Sequence, residues 1–142
     1  MKWILLIAMS LFISCEKEFS CPQGFARLEG PEWKALSPQG SVMKYRIIDE
    51  KTQAKSEFWS EAIFTHFRNE GYQDLKMKSY VLSKGDSIRT QNFIYPMQKS
   101  DYLYFVALII KDKKIHMWEV TGPYSDMKSL TPNLIKKIQD FD

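Results

Sequence analysis

The chain has little of what most often carries chemistry. It holds two histidines, two cysteines and six glycines in 142 residues. His66 and His116 have no second ligand type at a short, recognisable spacing, so no metal-binding motif is legible. The glycines form no phosphate-cradling loop. H-E-x-x-H, G-x-S-x-G and C-x-x-C are also absent. On this ground the sequence is read as non-enzymatic, with no catalytic residue, metal or cofactor assigned. Charge of one sign is lacking too. Twenty basic residues face 17 acidic ones, for a net +3, and the two signs are evenly mixed, which argues against a nucleic-acid partner. No fixed-period repeat or low-complexity tract is visible.

What is present is ordinary globular composition. Apolar residues make up 44% and charged residues 26%, enough for a single domain with a real core. Aromatics reach 14%, so that core can be built from large side chains.

The first fifteen residues differ from the rest. Lys2 precedes Trp3–Ile13, an eleven-residue apolar run broken only by Ser10. It is too short to cross a hydrocarbon layer of about 30 Å, and it suits the apolar region of a signal peptide. The run closes on Phe12-Ile13-Ser14-Cys15, which resembles a bacterial lipobox, with Phe12 where an aliphatic residue is usual. The resemblance implies cleavage between Ser14 and Cys15 and lipid attachment to Cys15. Cys15 would then be a thioether, and Cys21 a lone thiol. If acylation fails, a Cys15–Cys21 disulfide is the alternative. The expected organisation is signal peptide 1–14, lipidated cysteine and tether 15–30, and one domain over 31–142. The expected address is the cell envelope, with the protein lipid-anchored at the outer membrane and facing the periplasm; Glu16 after the anchor favours that membrane.

Periodicity supplies the elements. A short strand is read near Phe25 to Leu28 and another over Trp33 to Leu36. Ser37-Pro38-Gln39-Gly40 has turn chemistry. From Ser41 to Asp49 the chain alternates, with Met43, Tyr45 and Ile47 on one side and Val42, Lys44, Arg46 and Ile48 on the other, as in a half-buried strand. SEFWSEAIFTHFRNEGY then changes period to that of an amphipathic helix of about 14 residues, capped by Ser56 and stopped at Gly71. Strands resume at YQDLKMKSYVL and at Ile88 to Tyr95, with a turn at Ser83-Lys84-Gly85-Asp86 between them. YLYFVALII, Tyr102 to Ile110, is apolar on both faces and reads as a central strand covered on both sides. A charged turn at 111–114 leads to a last strand over Ile115 to Thr121. Thr131-Pro132 is taken as the start of a closing helix with Leu134, Ile135, Ile138 and Phe141 buried. The fold class is therefore α+β: an antiparallel sheet of about six strands covered by two helices, in the order β-β-α-β-β-β-β-α.

This order resembles that of Mog1/PsbP-like domains. The supporting stretches are GPEWKALSPQGSVMKYRI, the helix ending in NEGY, YLYFVALIIKDKKIHMWEVTG and LIKKIQDF. The resemblance implies a compact sandwich, no catalysis, and accessory, assembly or chaperone-like roles.

Aromatic residues exceed what one small core obviously needs. Trp59, Tyr80, Tyr95, Tyr104 and Trp118 are the candidates for a partner or ligand groove, against the plainer reading that they fill the helix–sheet interface. The expected partners are the membrane, through the lipid on Cys15, and another envelope protein. The expected function is that of a non-enzymatic protein-binding or assembly factor. One alternative is a lipoprotein that binds a small apolar ligand. Another is a small hydrolase with a dispersed site, which needs His66 or His116 to meet acids in a cleft.

Overall fold

The computed structural model describes residues 19–49, 51–81, 87–96 and 101–141. In chain order the elements are β1 (Ala26–Leu28), β2 (Trp33–Leu36), β3 (Val42–Asp49), α1 (Ser56–Asn69), β4 (Gln73–Val81), β5 (Ser87–Pro96), β6 (Asp101–Lys111), β7 (Lys114–Pro123) and α2 (Tyr124–Gln139). All neighbouring strands pair antiparallel, in the spatial order β1-β2-β3-β7-β6-β5-β4. The α+β class and the order of elements are as expected, and β1 makes the sheet seven-stranded. The Ser83–Asp86 turn lies outside the described residues.

Helices cover opposite faces of the sheet. Successive side chains of a strand point to opposite faces. Along β6, Leu103, Phe105, Ala107 and Ile109 share a cluster with Met127, Leu134 and Ile138 of α2. Val106 and Leu108 share another with Phe64 of α1, alongside Phe93, Ile115 and Met117. The run YLYFVALII is thus buried on both sides, as its two-faced apolarity predicts.

Local chemistry explains most boundaries. At the end of α1, the Tyr72 N–H donates to Phe67 O (3.1 Å) and the Gly71 N–H to Arg68 O (3.0 Å), the paired bonds of a Schellman stop. Gly71 takes φ 90°, and the rings of Phe67 and Tyr72 meet at 5.5 Å. The N-terminal expectation for this helix differs: Lys55, not Ser56, sits at the cap, and no side chain caps it. Between β6 and β7 only Asp112 and Lys113 form the turn. Both have positive φ (51° and 58°), the left-handed pair of a tight hairpin whose twist matches the strands.

The closing helix begins earlier than Thr131-Pro132 suggests. It starts at Tyr124 and carries Pro132 in its interior. A proline there costs about 3 kcal/mol. Against it stand the buried Met127, Leu130, Leu134 and Ile138, each contributing about 1.5–3 kcal/mol. The apolar stripe at spacings of three and four residues therefore wins. The Thr131 hydroxyl donates to Met127 O at 2.7 Å.

The packed part of the chain also starts earlier than residue 31. Phe19 is 4% exposed and lies among Trp33, Tyr45, Trp118 and Phe141, at ring distances of 5.2–5.9 Å. The Trp33 indole N–H donates to the Phe19 carbonyl at 3.0 Å. Phe19 fills the apolar gap beside the end of α2, so a segment that reads as polar tether contributes to the core.

Candidate functional site: a groove along the C-terminal helix

α2 lies over β6 and β7, and its outer flank stands away from β5. Between them runs a groove of about 520 Å³. That volume falls within the range of about 300–1,000 Å³ typical of binding clefts. Leu103 and Met127 form its buried floor, and Ile135 and Pro132 line the helix side. Tyr124 closes one end and Gln139 marks the other. Asn92 projects from β5, and Thr131, Lys128 and Lys136 from α2. The residues from Tyr124 to Gln139 follow the helix for about 22 Å at 1.5 Å per residue. Among the described lining residues there are two lysines and no carboxylate, so the rim is cationic. Hydroxyls, amides and ammonium groups over an apolar floor suit binding of an amphipathic or anionic-ended ligand; no nucleophile with an adjacent base is among them.

The aromatic residues singled out by sequence do not form one groove. Trp118 is fully buried on the α2 face, stacked on Tyr45 at 5.2 Å. Its indole N–H has no partner among the described residues. Tyr104 lies on the other face, 4.7 Å from the Phe67 ring, and Trp59 packs partly buried against that same cluster. The sheet separates Tyr104 from Trp118, so the plainer reading, that these rings fill the helix–sheet interfaces, describes both. The side chains of Tyr80 and Tyr95, and residues Ser14 and Cys15, lie outside the described residues.

The two histidines do not converge. His66 is exposed on α1, over one face. His116 is buried on the opposite face, where its Nδ1 and the Tyr45 hydroxyl share a hydrogen bond of 2.7 Å. Phe141 packs edge-on to its ring at 5.1 Å. Among the described residues no group of three His, Cys, Asp or Glu side chains is placed to hold a metal ion. Cys21 is half-buried and its thiol donates to Phe25 O at 3.3 Å. Burial pushes that thiol up, only partly offset by Arg27, which weakens it as a nucleophile.

Two polar clusters brace the sheet, one on each face. Asp126, in the first turn of α2, accepts hydrogen bonds from the Ser37 hydroxyl (2.6 Å) and the Ser41 hydroxyl. They pin the β2–β3 turn to the start of α2. On the opposite face, buried Glu119 accepts from the Tyr104 hydroxyl and from Arg46. Burial first, and then the Glu119 hydrogen bond and charge, push the Tyr104 phenol well above its ordinary range.

Sequence reasoning missed the groove because it placed the start of α2 at Pro132. That cut away Tyr124, Met127 and Lys128. The signal was present in the spacing of Met127, Leu130, Leu134 and Ile138.

No family model matches this sequence, and no curated protein matches it. Among solved structures, it is similar to PA94 of Pseudomonas aeruginosa, a protein of unknown function (12% identity, TM-score 0.51, covering 89% of this chain and 86% of that one). It is also similar to CyanoP, the cyanobacterial PsbP of Synechocystis (7% identity, TM-score 0.57, covering 79% of this chain and 77% of that one). At such identities the likeness concerns architecture, and the fold of this chain is PsbP-like.

Proposed function

We propose that this chain is a bacterial envelope lipoprotein, anchored through lipid on Cys15, that works without catalysis by holding a segment of another envelope protein in the groove along α2. The observation that carries this reading is the groove itself. It is long and open, with an apolar floor and a cationic rim. An extended peptide rises about 3.3 Å per residue, so about seven residues match the roughly 22 Å of lined helix. Main-chain groups of such a segment would meet Asn92, Thr131 and Gln139, and an acidic side chain would meet Lys128 or Lys136. The leader and the lipobox-like Ile13-Ser14-Cys15 support an anchored protein, and Glu16 after the anchor favours the outer membrane, facing the periplasm.

A second reading shares the same groove. Its volume also suits a small apolar ligand with an anionic end. A photo-crosslinking residue in place of Ile135 separates the two. A discrete protein-sized adduct in native envelopes, absent when the residue is placed at exposed Leu28 instead, is the expected result. An adduct with the mass of a small molecule would move the assignment to ligand binding, and no adduct would remove the groove from both readings.

A further inference from the structure

The anchor and the core lie close together in the chain. Phe19 is held by four rings and by the Trp33 indole, and Cys15 precedes it by four residues. Four residues reach at most about 14 Å when fully extended. If Cys15 carries lipid, as the preceding reading has it, the bilayer surface lies within that distance of the Phe19 backbone plus the lipid linkage.

One end of the molecule suits such contact. Along β3, β2 reaches only from Val42 to Tyr45, and β3 then runs on to Asp49 with β7 alone beside it. Ile47 and Ile48 sit on this overhang, 43% and 42% exposed, on opposite faces of the strand. The Phe19 ring is 5.2 Å from Tyr45, and these isoleucines are two and three residues farther on, within about 10 Å along the strand. The β6–β7 hairpin lies alongside, with Asp49 opposite Lys114. It brings Lys111, Lys113 and Lys114 to the same end, against the carboxylates of Asp112 and of Asp49. Exposed aliphatic side chains flanked by lysines fit the apolar and anionic layers of a phospholipid surface.

We infer that the mature protein stands on the membrane by this tip, with Ile47 and Ile48 in the headgroup region and the hairpin lysines on lipid phosphates. The inference rests on lipidation of Cys15. Tyr124 follows the far end of β7, ten residues or about 33 Å from the hairpin, so the Tyr124 end of the groove points away from the bilayer.

The test uses the full chain, purified from membranes with its acyl mass verified and reconstituted into vesicles of phosphatidylethanolamine and phosphatidylglycerol. With Cys21→Ser as background, a fluorophore is attached at Ile48→Cys or at Tyr124→Cys, both exposed sites. The vesicles carry a nitroxide quencher at headgroup depth. Quenching several-fold stronger at position 48 than at position 124 is the expected result. Equal quenching in a protein of verified acyl mass would overturn the docking geometry alone. A chain without acyl mass would overturn the anchor reading, and this inference with it.

Discussion

Tyr45 and Arg46 are neighbours on β3, yet they belong to different environments. Tyr45 points under α2, where it is 8% exposed and bonded to buried His116 among Phe19, Trp118 and Phe141. Arg46 points to the other face, where its half-exposed side chain pairs with buried Glu119. Over the α2 face, the helix and Phe19 close the sheet from β2 to β6. On the other face α1 covers β5 and β6, while Lys34, Leu36, Lys44 and Arg46 of β2 and β3 remain at least partly open to solvent. Lys34, bonded to Glu32 at 2.6 Å, holds that exposed carboxyl below its usual range, with smaller help from Lys44 and Arg46. One strand pair thus supplies a dry aromatic core on one side and a solvated cationic surface on the other. The difference comes from what lies above each face, since the backbone is shared.

If the α2 face is the closed one, truncation there has the largest effect. Phe105 is fully buried, and Phe105→Ala is expected to cost about 3–5 kcal/mol, read by denaturant unfolding. Leu36→Ala on the open face, where the side chain is 37% exposed, should cost about 1 kcal/mol or less. Similar losses for the two would contradict the contrast.

Gly122 offers a smaller and more local effect on the closed face. A Cβ there would lie 2.0 Å from the Ser41 hydroxyl and 2.9 Å from the Ser41 Cα, so the turn bonded to Asp126 must shift. Gly122→Ala is expected to destabilise by about 1–3 kcal/mol. Amide exchange around Ser37–Ser41 should rise with it. An unchanged unfolding midpoint would show that the turn yields freely.

The smallest effect concerns the part of the other face that α1 covers, and appears only in alkali. Tyr104 titrates above its ordinary value of about 10 when folded and near 10 when unfolded. The unfolded chain therefore loses this proton first. The contribution is full below pH 10 and is lost as pH rises beyond it. Above pH 10 the stability of the parent should fall by up to about 1.4 kcal/mol per pH unit more than that of Tyr104→Phe. Parallel pH curves would show that Tyr104 is more accessible to water than its bond to Glu119 implies.

Much of the frame was legible before any coordinates. The alternation of Met43 and Tyr45, the helical spacing of Trp59, Ile63 and Phe67, and the two-faced apolarity of Tyr102 to Ile110 each report a local period set by burial, whereas Ile47 and Phe58, read into the same stripes, are exposed. The Gly71 stop was legible because a left-handed residue after a helix favours glycine. The candidate site was less so. Pro132 looks like a helix start, and its interior position follows only from a buried stripe whose partners lie on β6 and β7. The aromatic candidates were grouped by type, but Tyr104 pairs opposite Thr121, while Trp118 is three residues back and so on the other face. That depends on strand register.

The sequence by itself therefore determined the elements, most of their ends and the α+β class, because propensity, periodicity and turn chemistry act over a few residues. Tertiary structure decided the rest. It chose which face each aromatic ring serves, drew Phe19 into the core, carried α2 through Pro132, and joined Asp126 to Ser37 and Ser41 across 89 and 85 residues. Those outcomes depend on register and on burial summed over distant contacts, and no local window contains either.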